Sequence, residues 1–463
     1  MLIQSFSGVR GLFGEDITDD IAKRYAKAYL DFLLKTKGKP LIVIGRDTRP
    51  SSERLKDDMV ELFLQHTDVV DLGINTTPAV EFAVRHLKAD GGVIITGSHN
   101  EPEFNGWKFL NSTGSILEPN DMEEVISNFK AIKKIERKKF SGKLEDVSIS
   151  SDYISSIVDN ISEEEKAVIA ESKLKVVADP NGGTAAIVIK DVLDKLGVEI
   201  VEMNMDLGVF KRKIEPNMHT LKKVSEEVKK SSADFGAGFD CDADRVELVD
   251  EEGNMISGNY VLALAVEEVL SNYKGSNRVI VINDATSNVI KEVAKKHNAK
   301  VEEVEVGEIN VVKRMYELKS PVSGEGSNGG VIIPPARCRE GLMTVVAIIR
   351  LLARTKKKIS EICEEFPKYY TPRQALSSDV DTIRIKELIE KKFRDKGYDI
   401  RKTGDETGGL KVIFDEKSWL WFRNSKTEVG SFRIIADSDD EEKADEILEE
   451  GVKAFREAEA ELR

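Results

Sequence analysis

The sequence is poor in the residues that mark disulfide-held, zinc-clipped or membrane-spanning proteins. It holds three cysteines, Cys241, Cys338 and Cys363, in 463 residues, and no CxxC pair. So sparse and odd a set supplies neither a disulfide framework nor a zinc site. No stretch approaches the roughly 18 uninterrupted apolar residues of a spanning helix. The N-terminal MLIQSFSGVRG lacks the basic start and apolar core of a secretory signal. Together these absences set the expectation of a cytoplasmic protein with no membrane partner. A basic surplus is missing too: 69 Lys and Arg stand against 83 Asp and Glu, a formal net charge of -14. Nucleic acid and anionic membranes both call for a basic surface, so neither is expected as a partner. A local basic pocket for a small phosphate stays open to such a chain. Glutamine is confined to Gln4, Gln65 and Gln374 beside abundant Lys and Glu, a balance of the thermophilic kind.

What is present is a globular composition, 40% hydrophobic and 33% charged, which argues against disorder. The length predicts about three or four domains. Short apolar runs at residues 41–44, 92–95, 174–178, 279–282 and 331–333 alternate with longer amphipathic patterns. That alternation predicts α/β layers with largely buried, mostly parallel sheets. Three apolar runs end in Asp and a polar turn: IVIGRDT at Asp47, VVADPNGGT at Asp179 and VIVINDATSN at Asp284. Each is followed by a second strand opening into a Gly-flanked polar loop, in GGVIITGSHN, FGAGFDCDADR and PVSGEGSNGG. This reads as three related α/β units in tandem, each with a loop at the sheet edge where open α/β sheets bind ligands. The basic segment 130–143 reads as a helix end and linker. Beyond about residue 366 the pattern changes. Residues 382–385, 410–414, 419–422 and 431–436 read as short strands, and 385–396 and 441–463 as helices. The expected domains are 1–150, 151–256, 257–366 and a smaller α+β unit at 367–463.

Four loops carry the chemistry. The first, TGSHN, holds Ser98 and His99 and runs on to Lys108. A Ser–His neighbour pair does not by itself make a nucleophile, since a triad histidine is adjacent in space rather than in sequence; a plain polar turn fits the same residues. The Gly before Ser98 is expected to present its hydroxyl on an open turn. The second, DCDADR, places Asp240, Asp242 and Asp244 after an apolar strand, with Arg245 next. Three such carboxylates form a hard oxygen set suited to Mg²⁺ and would repel one another without a cation. An EF-hand is excluded because Arg245 stands where that loop needs Gly. A haloacid-dehalogenase-type DxDx[TV] is excluded because Asp244 takes the Thr/Val place. The third, GEGSNGG, offers Glu325, Ser327 and Asn328 to sugar hydroxyls; a glycine-rich connector fits it equally. The fourth, RNSKTE, offers Arg423, Ser425, Lys426 and Thr427 to a phosphate dianion, with Arg433 beyond.

The ordered combination, with SGVRG near the N-terminus, GRDTR at residues 45–49 and Val306-Gly307 before Asn310-Val311, resembles the α-D-phosphohexomutase superfamily, the phosphoglucomutase/phosphomannomutase family, and its archaeal-type members most. The resemblance spans nearly the whole chain. It implies three tandem α/β domains with mixed, mostly parallel sheets and a C-terminal α+β domain around a central active-site cleft. It also implies interconversion of hexose 1-phosphate and hexose 6-phosphate, of glucose or mannose, through a phosphoserine at Ser98 and a bisphosphosugar. Carried over residue by residue, it implies one Mg²⁺ on Asp240, Asp242, Asp244 and the phosphorylated Ser98. Arg10, Lys108 and Arg245 lie around the phosphoserine, with Lys108 the candidate general acid/base assisted by His99. Glu325, Ser327 and Asn328 grip ring hydroxyls, and Arg423, Ser425 and Thr427 bind the non-transferring phosphate. Hexose 1,6-bisphosphate serves as activator, and a monomer or homodimer is expected. The departures are Glu101 in place of the proline of SHNP, and an RNSKTEV that lacks both prolines and the glycine of RPSGTEP. Alternatives are a phosphoglucosamine mutase, a Mg²⁺-dependent sugar phosphatase and a non-catalytic sugar-phosphate binder.

Overall fold

The computed structural model describes residues 2–136, 138–326, 330–424 and 431–463. The chain forms two compact units, Met1–Ile256 with Ile332–Ser360, and Ser257–Val331 with Glu361–Arg463. The first unit carries two sheets. One has seven strands in the order Ile3–Ser5, Gly8–Leu12, Phe104–Asn111, Gly91–Ile95, Leu41–Arg46, Asp68–Ile74 and Leu144–Asp146. Its right half is parallel and its left half antiparallel. The Gly91–Ile95 strand sits between neighbours and is buried throughout, which is why it reads as a continuous apolar run. The second sheet places Phe235–Phe239 between Lys175–Asp179, parallel, and Val246–Asp250, antiparallel.

Helices cover these sheets with stops written into the sequence. Thr18 caps Asp19–Leu34 by accepting from Ile21 N, with Asp19 and Asp20 in the first turn. Tyr25 and Tyr29 of that helix pack on Trp107 and Phe109, with ring centroids 5.2 and 4.6 Å apart. Ser162 and Glu165 form a capping box on Glu163–Ser172. Helix Gly341–Thr355 returns to the first unit, where Arg350 donates to Glu165 at 2.7 Å. Its N-cap is Glu340, whose carboxylate accepts from Met343 N and from the Tyr153 hydroxyl.

That cap titrates in an unusual range. Burial pushes the Glu340 carboxyl up from 4.5 to about 7. The folded chain therefore holds a proton that the unfolded chain has released, and stability falls as pH rises from the unfolded value to the folded one. Glu340→Gln removes the charge, with the amide oxygen accepting from Met343 N and the amide N–H donating to the Tyr153 hydroxyl oxygen. Relative to wild type, the variant is expected to gain on the order of 2 kcal/mol between about pH 5 and pH 8. Denaturant titrations at the two pH values check this; parallel behaviour of the two proteins would refute it.

The second unit holds a four-stranded sheet, ordered Lys300–Val304, Val279–Asn283, Ser323–Glu325 and Gly330–Ile332, and a five-stranded antiparallel sheet. The expected strand at 382–385 is instead the start of helix Thr382–Asp395, capped by Asp381. Thr382, Ile383 and Ile385 are strand-favouring residues, but Ile385, Ile389 and Phe393 recur at helical spacing and are all fully buried. Two strands of that sheet, Arg373–Ser377 and Asp399–Lys402, are mostly exposed edges with no apolar run to reveal them.

Candidate functional site

The Gly91–Ile95 strand hands directly into the Ser98 loop, and Ile94 pairs with Lys108 across the sheet. Thr96 N donates to Gly106 O at 3.1 Å, so the loop leaves the sheet at a fixed height. Gly97 is required: a Cβ there would sit 2.9 Å from both the Arg49 guanidinium and Phe104 O. Ser98 itself adopts φ 50, a left-handed conformation costing a serine about 1 kcal/mol or more. Its N–H donates to Thr96 Oγ1 at 2.8 Å. The expected open turn is not found, for Ser98 is fully buried. The acidic loop lies over it, and Ser98 Oγ donates to Asp240 Oδ2 at 3.4 Å.

The acidic loop follows the fully buried Phe235–Phe239 strand. Asp240, Asp242 and Asp244 are each at most 1% exposed, and one carboxylate oxygen from each lies within 4.8 Å of the others. Asp242 Oδ2 accepts from Lys108 Nζ at 2.9 Å and Thr77 Oγ1 at 2.6 Å. Asp244 Oδ2 accepts from Lys108 Nζ at 3.0 Å and Arg339 Nη2 at 2.9 Å. The other oxygens, Asp242 Oδ1 and Asp244 Oδ1, are buried without a hydrogen-bond donor. Burial first, then the charges of Asp244 and Asp242, push the Asp240 carboxyl well above its usual range. Burial acts in the same sense on Asp244, but Arg339, Lys108 and Arg245 outweigh it and hold that carboxyl well below. Hard oxygens, two of them lacking donors, in a buried like-charged set are what a divalent cation satisfies. The three aspartates can therefore hold a metal ion.

Cations ring this cluster. Arg245 Nε lies 3.8 Å from Asp244 Oδ1, and the Arg245 backbone N–H donates to Asp240 Oδ1 at 3.3 Å. Arg10 Nη1 donates to Asn100 Oδ1 at 3.4 Å. Burial, then the neighbouring Arg245, push the Arg10 guanidinium down to about 10. Arg245, burial and Arg10 together hold the His99 imidazole far below its ordinary value, so it is neutral. The first unit thus brings together Ser98, His99, Arg10, Lys108, Arg245 and the three aspartates. An anion attached at Ser98 would meet this cationic ring, while the carboxylates need a cation beside it.

In the second unit, Glu325 Oε1 accepts from Asn283 Nδ2 at 3.0 Å and Gly307 N at 2.9 Å. Arg423 Nη2 pairs with Glu305 Oε1 at 3.0 Å, and Arg433 is its cross-strand neighbour. Ser327, Asn328, Ser425, Lys426 and Thr427 lie outside the described residues.

Models of the phosphoglucomutase/phosphomannomutase α/β/α domains I, II and III match residues 2–136, 151–253 and 257–370. A Thermococcus kodakarensis protein named phosphoglucomutase/phosphomannomutase is 38% identical, over 97% of this chain and 98% of its own length. The chain belongs to the phosphoglucomutase/phosphomannomutase family. A probable phosphoglucosamine mutase of Methanopyrus kandleri, 31% identical over 99% of this chain and 98% of its own length, is a further relative of this mutase chain. Its fold is shared by a Burkholderia thailandensis family protein, with TM-score 0.83, 23% identity and 98% coverage of both chains. A Paramecium phosphoglucomutase, at TM-score 0.83 and 19% identity, covers 98% of this chain and is covered over 96% of its own.

The three-domain family architecture is thereby established, as is the C-terminal sheet domain. Among the described residues no helix is long and apolar enough to cross a membrane. Sequence reasoning missed Thr77 and Arg339, which grip Asp242 and Asp244. Both come from distant segments with no local motif, and only folding reveals them.

Proposed function

We propose that this phosphohexomutase carries the phosphoryl group on Ser98 as it interconverts hexose 1-phosphates and hexose 6-phosphates of glucose or mannose. The observation that carries the proposal is the Ser98 hydroxyl buried against the carboxylate set, with Arg10, Lys108 and Arg245 around it. Water is excluded from such a site, which favours transfer to a sugar over hydrolysis. In the forward step the phosphorus–Oγ bond breaks and a bond forms from phosphorus to a free sugar oxygen. That sugar hydroxyl loses its proton and the Ser98 alkoxide gains one. The bisphosphosugar turns, and Ser98 takes the other phosphoryl group by the reverse of the same step.

Lys108 donates to two carboxylates, the arrangement of an ammonium. It serves as proton donor to the leaving Ser98 oxygen and as a charge facing the transferring group. The proton that Lys108 gives is replaced by the one the sugar hydroxyl loses, while His99, kept neutral by Arg245, burial and Arg10, assists by hydrogen bonding. Asp240, Asp242 and Asp244 would hold Mg²⁺, which would supply neutralisation of the charge carried by the transferring group. Glu325, kept in place by Asn283 and Gly307, grips ring hydroxyls together with Ser327 and Asn328. Arg423, with Ser425 and Thr427, binds the phosphate that stays. Residues 1–150 carry the phosphoserine, 151–256 the metal, 257–366 the sugar contacts and 367–463 the phosphate contacts. Hexose 1,6-bisphosphate primes the enzyme in the cytoplasm.

Incubation with glucose 1,6-bisphosphate and Mg²⁺ is expected to yield a species about 80 Da heavier by intact mass, and the treated protein to convert glucose 1-phosphate to glucose 6-phosphate. The names of several relatives favour a second reading, a phosphoglucosamine mutase. Turnover of glucosamine phosphate alone would select it, and phosphate release exceeding isomer formation would point to a phosphatase.

A further inference from the structure

Two arginines, Arg49 buried and Arg212 partly buried, stand behind the site without touching its reacting atoms. Arg49, 1% exposed, donates through Nη1 to Asp47 Oδ2 and through Nη2 to Ser98 O at 2.8 Å and to Asn100 O. Asp47 in turn accepts from Arg49 N at 3.0 Å and Ser52 Oγ at 2.5 Å. Its charge is kept by Arg49: burial raises the carboxyl, but the guanidinium leads the groups that bring it below the usual range. The second sheet repeats the device. Arg212 Nε donates to Asp179 Oδ2 at 2.7 Å, and Nη2 donates to Phe239 O at 2.8 Å and Asp179 O at 3.2 Å. Phe239 is the residue before Asp240. Asp179 is fixed from the other side by Asn181 N and Asn204 Nδ2, at 2.8 and 2.9 Å.

Asp47 and Asp179 occupy corresponding places, each at the C-terminal end of an apolar strand of its own sheet. In each, the carboxylate aims an arginine fork at a carbonyl of the neighbouring functional loop. At Asp284, the third such position, the partners are Trp421 Nε1, at 2.9 Å, and Thr403 Oγ1. The arginine forks accompany the two loops that carry like charges, a phosphoserine and three carboxylates. Such loops repel each other and must be held together from behind, through groups other than the charged side chains.

We propose that Arg49 and Arg212 are paired positioning residues: Arg49 holds Ser98 in its left-handed turn, and Arg212 holds Asp240 at the distance the metal requires. A lysine can keep the carboxylate contact at either position, but one ammonium cannot reproduce a fork spanning a carboxylate and carbonyls. The proposal rests on the phosphoserine reading for Arg49 and on the metal-holding aspartates for Arg212.

The test measures two quantities on each folded lysine variant. One is Mn²⁺ affinity, by electron paramagnetic resonance. The other is phosphoryl uptake from glucose 1,6-bisphosphate, by time-resolved intact mass at saturating metal. Arg49→Lys is expected to slow uptake about 100-fold with Mn²⁺ affinity within about 3-fold of wild type. Arg212→Lys is expected to weaken Mn²⁺ binding about 10- to 100-fold while uptake at saturating metal stays within about 3-fold of wild type. Wild-type values in both variants would overturn the proposal. So would losses of both quantities in step with a lowered melting temperature, which mark plain destabilisation. Should a lysine variant not fold, Thr96→Val loosens the Ser98 turn and Asn204→Ala loosens Asp179, and the same separation of effects is expected at smaller amplitude. A wild-type protein that takes up no phosphoryl group refutes the phosphoserine reading alone; the Mn²⁺ measurement then still decides Arg212.

Discussion

Ser98→Ala is expected to remove mutase turnover by about four orders of magnitude or more, since covalent catalysis has no substitute nucleophile once the hydroxyl is gone. The surroundings sharpen that expectation. Ser98 is buried, so water cannot enter to take over the hydroxyl's part. Asp240 lies 3.4 Å from its Oγ but is an acceptor there, and its carboxyl is pushed upward by burial and by Asp244 and Asp242. The fold should survive, because Ser98 gives the loop its shape through the backbone: its N–H goes to Thr96 and its carbonyl to Arg49. Alanine at φ 50 keeps the same strain, so a melting temperature near wild type is expected. Turnover is followed by coupled reduction of nicotinamide from glucose 6-phosphate, and phosphorylation by intact mass. Retention of more than about a hundredth of the wild-type rate would place the phosphoryl carrier elsewhere.

Lys108→Met is expected to have the largest effect on stability. The ammonium bridges Asp242 and Asp244, all three side chains being almost wholly buried. Methionine fills the stem's volume and removes the charge. Breaking a buried pair by deleting one partner costs about 3–5 kcal/mol, and here one cation serves two carboxylates. Arg339 still faces Asp244, so Asp242 bears most of the loss. The cost is expected in full in the presence of a chelator and to shrink as Mg²⁺ is added, because a divalent ion offers the carboxylates another partner. Thermal unfolding with and without Mg²⁺ gives the comparison. An equal loss in both conditions would separate Lys108 from the metal-holding group. Turnover should fall as well, and saturating Mg²⁺ should not restore it if the ammonium protonates Ser98.

Much of this was legible in the chain. The apolar runs and their Asp-ended turns predicted strands that the structure contains, and the DCDADR spacing predicted carboxylates that the fold gathers within 4.8 Å. What escaped was set by tertiary contact. The burial of Ser98 depends on a loop from another sheet, which no local composition encodes. Helix Thr382–Asp395 begins with β-branched residues, and its identity comes from the stripe of Ile385, Ile389 and Phe393 that the neighbouring sheet buries. Arg339 sits far along the chain from Asp244, and its partnership follows from where helix Gly341–Thr355 docks.

The course of the chain has a consequence for how the protein is made. The first unit is complete only with Ile332–Ser360, and the second begins at Ser257 before the first is finished. During synthesis, therefore, residues up to Ile256 emerge without Arg339 and without the apolar helix Gly341–Thr355. Until that segment arrives, Asp244 has no Arg339 against it and the surface meant for the helix stays uncovered. A nascent chain in that state exposes apolar surface and an under-compensated acidic cluster, the kind of species that aggregates or engages chaperones. Completion of the metal-holding group is thus timed to a late stretch of translation rather than to the folding of its own loop.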